Sequence, residues 1–179
     1  SSLTSFYNAL SAIATDSFEI NKFNGLEDSF TGMNTQIQFC SALASSKLFY
    51  IETHGTPNQI YIKNDYGDVI SDSDIDLLVN DGAFSGTNMA IIAACYSGSG
   101  NFSAIMNKKA PKILIGMNQT VVSASIQNFV DFFNNEFVNG GSSIYRFKNL
   151  IKDPTKNFSY VSVFINGDYN SWTIDNVMQ

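Results

Sequence analysis

The sequence predicts an α/β protein, a three-layer α/β/α sandwich built on a mainly parallel sheet, and three observations carry that prediction. Apolar runs of strand length, such as Leu48-Phe-Tyr-Ile51 and Lys112-Ile-Leu-Ile-Gly-Met117, alternate with segments whose apolar residues recur at helical spacing. The strand-like runs are apolar on successive residues, as expected of strands covered on both faces. Helices placed between consecutive strands imply right-handed crossovers and hence a parallel sheet with helices on both faces.

Taken in order, Leu3, Phe6, Tyr7, Leu10, Ile13 and Ala14 lie on one face of a helix. Phe18, Ile20 and Phe23 alternate with polar residues and predict a strand closing at Asn24-Gly25. A second helix is expected from about Met33 to Ala44, turning Ile37, Cys40, Ala44 and Phe39 or Leu43 toward the sheet. The run from Leu48 to Ile51 is then a strand whose carboxyl end delivers His54. Gln59 to Lys63 and Asp68 to Ile70 read as a hairpin with Gly67 in its turn. Ser71 to Val79 reads as a short helix with a hydroxyl cap and an acidic first turn, suited to the positive end of the helix dipole. The run from Met89 to Ala94 leads into Cys95, and Phe102 to Met106 can form a short helix. After the strand at Lys112 to Met117, Ser123 is expected to cap the longest helix, with Ile126, Phe129, Val130, Phe133, Phe137 and Val138 as its apolar face and Gly140-Gly141 as its stop. A helix near Ile144 to Ile151 and a final strand at Tyr160 to Ile165 complete the series.

Length and composition fit one domain, residues 1–179, of which 44% are apolar. A net charge of -6, with ten basic residues scattered along the chain, counts against nucleic-acid or anionic-membrane partners, which require clustered Lys and Arg. No apolar run approaches the roughly 18 residues of a membrane span. The chain opens Ser1-Ser2 without Met or a signal-like segment and so reads as a processed product or a trimmed piece. The compartment is undetermined; few charges with much Ser and Asn lean toward a secreted or surface protein. Two cysteines are no disulfide framework.

The chemistry concentrates at two strand ends. His54 is the only histidine, and it follows Leu48-Phe-Tyr-Ile-Glu-Thr with Gly55 behind it. Cys95, one of two cysteines, follows Ile91-Ile-Ala-Ala and is succeeded by Tyr96-Ser-Gly-Ser99. In open parallel sheets, sites lie beyond the carboxyl ends of strands. A thiolate and an imidazole meet in space when they end neighbouring strands, which is what a Cys/His hydrolase needs. Taken singly, a lone His is more often a satisfied surface or core residue, and such a Cys more often a small buried hydrophobe. Glu52, two residues before His54, either orients the ring or faces solvent. Tyr96 is a candidate substrate-binding residue; Ser97 and Ser99 are turn formers or line the cleft. Asp72, Asp74 and Asp76, with Asp65 and Asp68 nearby, lack the Gly and distal Glu of a calcium loop and read as a helix-capping turn. One His and two distant Cys give no zinc spacing, and no Lys follows Gly98 and Gly100 as a phosphate loop demands, so no metal or cofactor is implied.

A hydrophobic strand ending in His-Gly, followed about forty residues later by one ending in Ala-Cys with Ser-Gly behind it, resembles the caspase-like cysteine peptidases. That group includes caspases, legumains, gingipains, clostripains and separases. The downstream order, a long Phe-rich helix, Gly140-Gly-Ser-Ser and a closing Phe164-Ile-Asn-Gly-Asp168, is most similar to bacterial CHAT domains. The resemblance spans about residues 17 to 168. It implies a cysteine endopeptidase acting on a protein or peptide, in which Cys95 attacks, His54 protonates the leaving amine, and the backbone N–H groups of Gly55 and Cys95 hold the oxyanion. There are two departures. The strand that opens such folds beside the His strand is missing, which suggests a cleaved upstream segment that supplies it and activation by processing. Many relatives that cleave after Arg or Lys carry an acid two residues before the Cys, where this chain has Ala93. The competing readings are another Cys-dependent α/β hydrolase, against which the His-before-Cys order counts, and an inactive caspase-like domain kept for binding.

Overall fold

A computed structural model describes residues 1–13, 35–62 and 68–179. The chain is α/β. Its main sheet has four strands, β1 (Leu48–Glu52), β5 (Met89–Ala93), β6 (Ile113–Met117) and β7 (Val161–Ile165), in the order β1-β5-β6-β7. The first three are parallel and β7 runs antiparallel to β6. β5 and β6 are buried at every residue, which is why they read as unbroken apolar runs. A second, three-stranded antiparallel sheet joins β2 (Gly55–Thr56), β3 (Gln59–Tyr61) and β4 (Val69–Ser71). Seven α-helices are present among the described residues: α1 (Ser2–Ile13), α2 (Thr35–Ser45), α3 (Asp72–Leu78), α4 (Gly100–Lys108), α5 (Ser123–Phe133), α6 (Ile144–Lys152) and α7 (Ile174–Met178). Among the described residues no helix is long and apolar enough to cross a membrane.

The described residues group into two compact units with interleaved segments. One is drawn from Ser1–Lys22, Val121–Ser159 and Asn170–Gln179, the other from Phe23–Thr120 and Tyr160–Tyr169. In the first, α1 packs on α5, and Phe133 stands at the centre of an aromatic cluster with ring centroids 5.8 Å from Phe6, 5.1 Å from Phe137 and 5.3 Å from Phe147. All six apolar residues assigned to the long helix are buried. That helix departs from the expectation at both ends. Val122, not Ser123, occupies the N-cap, and no side chain caps it. Past Phe133 the chain widens into a π turn over Asn134–Val138.

The second unit holds both sheets, with a core that includes Phe39, Leu43, Ile60, Ile75, Phe84 and Phe102. Its α2 buries Phe39, Cys40 and Leu43 but leaves Ile37 and Ala44 exposed, so the expected face was rotated by about one position. α3 begins with a reciprocal capping box: Ser71 Oγ accepts from Asp74 N–H at 3.1 Å, and the Asp74 carboxylate accepts from Ser71 N–H at 2.9 Å. The acidic turn is thus a cap. Lys109 is only 1% exposed, its ammonium held 3.1 Å from Asp76 and 2.9 Å from Asp81. Burial works against that charge, but the bonds from the two carboxylates outweigh it and hold the ammonium above its ordinary range. The strand expected at Phe18 to Phe23, the start of the second helix at Met33, and the hairpin turn at Gly67 lie outside the described residues.

Candidate active site

The site is built where β1 and β5 end. Their parallel register runs from Leu48↔Met89 to Glu52↔Ala93, and Thr53 N–H still donates to Ala93 O at 3.2 Å. Beyond that last pair each chain leaves its strand, and His54 and Cys95 each follow two residues past it, at the same end of neighbouring strands. The main chains stay close: a Cβ placed on Gly55 would lie 2.6 Å from Cys95 O and 3.1 Å from Ala94 Cβ. A side chain at position 55 is therefore excluded, which is a physical reason for the His-Gly pair.

The His loop is fastened on its other side as well. β2 turns back through Pro57-Asn58 into β3, and Tyr61 N–H donates to His54 O at 3.0 Å. Antiparallel pairs alternate between bonded and non-bonded, so Gly55, opposite Ile60, falls in a non-bonded pair with its N–H turned away from β3. Pro57 then reaches the Cys loop: its carbonyl accepts from Phe102 N–H at 3.0 Å, and a Cβ on Gly100 would lie 2.9 Å from it. Gly100 has φ +78°, a backbone conformation that glycine adopts without strain.

Cys95 is half-buried on a tight turn. Tyr96 follows with φ +60°, a left-handed conformation costing about 1–2 kcal/mol for a residue with a Cβ. It is held there by its N–H, which donates to Gln119 O at 3.2 Å. Gly98 presses against β6, where a Cβ would meet Gly116 C at 2.7 Å, and its N–H donates to Met117 O at 2.7 Å. The Ser99 hydroxyl donates to Asn118 O at 3.1 Å.

The other proposed site residues are placed as follows. Glu52 is exposed and its carboxylate accepts from the Tyr50 hydroxyl at 3.1 Å. The His54 ring meets Tyr61 edge-on, with centroids 6.3 Å apart. Tyr96 is half-buried, its hydroxyl 3.4 Å from Thr120 Oγ1. Ser97 does not line a cleft: it is fully buried, its hydroxyl donating to Ile92 O at 2.5 Å and accepting from Met117 N–H at 3.0 Å. Its one proton is already given to Ile92 O, and its burial leaves no surface for a ligand to meet. Pro57, Gly116 and the carbonyls of Met117, Asn118 and Gln119 were not singled out in the sequence. The Pro57-Asn58 turn carried a visible signal, but the partners on β6 depend on long-range packing. The second cysteine, Cys40, is buried in α2, where burial, assisted by the nearby Asp74 carboxylate, pushes its thiol up to about 11.

No protein-family model and no curated protein matches this chain.

Proposed function

We propose that the protein is a caspase-like cysteine endopeptidase, with the three-layer α/β/α fold of that group, using Cys95 and His54 to hydrolyse peptide bonds. The observation that carries this reading is that β1 and β5 are parallel neighbours whose last register pair, Glu52↔Ala93, is followed two residues later by His54 on one chain and Cys95 on the other, with Gly55 packed on the Cys95 backbone. In this reading Cys95 Sγ attacks the scissile carbonyl carbon and forms a tetrahedral oxyanion. Collapse of that intermediate to a thioester breaks the C–N bond, and His54 gives the leaving amine its proton. Water, deprotonated through His54, then hydrolyses the thioester and restores the thiol. The N–H of Gly55, turned away from β3, and that of Cys95 are the oxyanion donors. No metal or cofactor takes part.

Thiol reactivity and peptide cleavage test the reading together. An acyloxymethyl-ketone reagent is expected to label Cys95 much faster than Cys40, with His54→Ala slowing the reaction and Cys95→Ala abolishing both labelling and turnover of a peptide library. Equal, slow labelling of both thiols with no cleavage would instead favour a scaffold kept for binding.

A further inference from the structure

We infer that Ser97 is a positioning residue for Cys95: its hydroxyl clasps the last rung between β5 and β6 and fixes the turn that carries the sulfur. The inference rests on the peptidase reading above. Bonds in a parallel ladder recur at every second residue. Here the series starts with Ile113 N–H on Asn88 O at 3.1 Å, and the register extends to Ile92↔Gly116. That series brings Met117 N–H to Ile92 O at its last rung. Ser97 Oγ binds both of those groups, accepting from Met117 N–H at 3.0 Å and donating to Ile92 O at 2.5 Å. The next bond in the series would join Ala94 N–H to Met117 O. It is replaced: Ala94 N–H turns back onto Ile92 O at 3.0 Å, and Met117 O accepts from Gly98 N–H at 2.7 Å.

The chain therefore leaves β5 after Ala93, loops out through Cys95 and Tyr96, and returns at Ser97-Gly98 to the strand edge it left. The groups at the end of β6 that a longer β5 would have used are used by the returning turn. Ala94, Cys95 and Tyr96, between the departure and the return, are held out beyond the carboxyl end of β5, with Cys95 in the middle. Ser97 supplies the side chain that clasps this last rung, and it is fully buried; the Ser99 hydroxyl makes a second, partly buried tie further on, to Asn118 O at 3.1 Å. Gly98 follows Ser97 in close contact with Gly116, which only a residue without a Cβ permits. Without the hydroxyl, Ile92 O and Met117 N–H still have each other, so the sheet survives. The turn loses its buried anchor, and the sulfur it carries loses its fixed place. Misplacement by about 1 Å is enough to cost on the order of 100-fold in rate.

The test compares wild type, Ser97→Ala and Ser97→Thr in the full chain, with thermal melting as the check on folding. Each is inactivated by the most reactive member of a panel of peptidyl acyloxymethyl ketones varied at the residue before the scissile bond. The maximal inactivation rate of Ser97→Ala is expected to fall about 100-fold, while the half-saturating reagent concentration stays within about threefold. Ser97→Thr, which keeps the hydroxyl, is expected to recover to within about threefold of wild type. A Ser97→Ala protein that reacts at the wild-type rate, or whose loss lies wholly in reagent binding, overturns the inference and leaves the peptidase reading standing. Wild-type Cys95 reacting no faster than Cys40 sinks the peptidase reading and this inference with it. Should Ser97→Ala fail to fold, Ser97→Thr decides: folded and reactive supports the clasp, folded and slow refutes it.

Discussion

The two cysteines have opposite surroundings. Cys40 lies within α2, buried among core residues and near the Asp74 carboxylate, so its thiol is pushed up to about 11 and stays protonated at neutral pH. Cys95 sits just past the end of a strand, half-buried, beside a glycine that lets the His54 loop touch its backbone. Each follows apolar neighbours in sequence. The difference comes from what ends nearby: a helix interior presents a thiol to packed side chains, whereas a parallel strand end presents it to the ends of the neighbouring strands.

The largest test of that contrast is reactivity itself. With iodoacetamide at neutral pH, Cys95 is expected to alkylate at least about 100-fold faster than Cys40 in the folded protein, and the ratio should fall to near one in concentrated urea. Peptide mapping by mass spectrometry reads both sites at once; a ratio near one in the native protein would break the comparison. Next in size, Gly55→Ala places a Cβ 2.6 Å from Cys95 O and must push the two loops apart. Labelling of Cys95 is expected to slow by about 100-fold while that of Cys40 is unchanged. A smaller effect, on stability, is expected from Gly98→Ala, whose Cβ would lie 2.7 Å from Gly116 C. Urea unfolding should report a loss of about 1–3 kcal/mol. The smallest concerns Cys40. Its folded-state value lies above the unfolded one of 9.0, so the folded chain favours the protonated thiol. The resulting stabilisation is complete below pH 9 and is lost as pH rises toward 11. The loss, about 1–2 kcal/mol, should disappear in Cys40→Ala, as urea titrations across that range would show.

Much of the element order was legible because local periodicity reports burial. β5 and β6 are apolar throughout, and the six buried apolar residues from Ile126 to Val138 follow helical spacing even though the backbone widens into a π turn past Phe133. The short β2 was missed because two residues carry no periodic signal, and the five-residue α7 for the same reason. Lys109 was only counted among the ten scattered basic residues, since nothing local shows that Asp76 and Asp81 converge on it. Ser97 was left between two roles, turn former and cleft residue, for a related reason. A Ser after a candidate nucleophile offers a hydroxyl to a cleft or to a turn, and its own neighbours do not decide which.

By itself the sequence determined which residues end strands, because apolar runs and the Gly, Pro and Ser that stop them are local features of the chain. It thereby brought out His54-Gly55 and Cys95. Only the tertiary structure decided that β1 and β5 are neighbours in one parallel register, that Gly55 touches Cys95, and that the Ser97 hydroxyl faces the sheet. Those facts depend on which strands pair and where the turns between them fold back. Pairing is chosen by the packing of the whole core, and no stretch of a few residues encodes it.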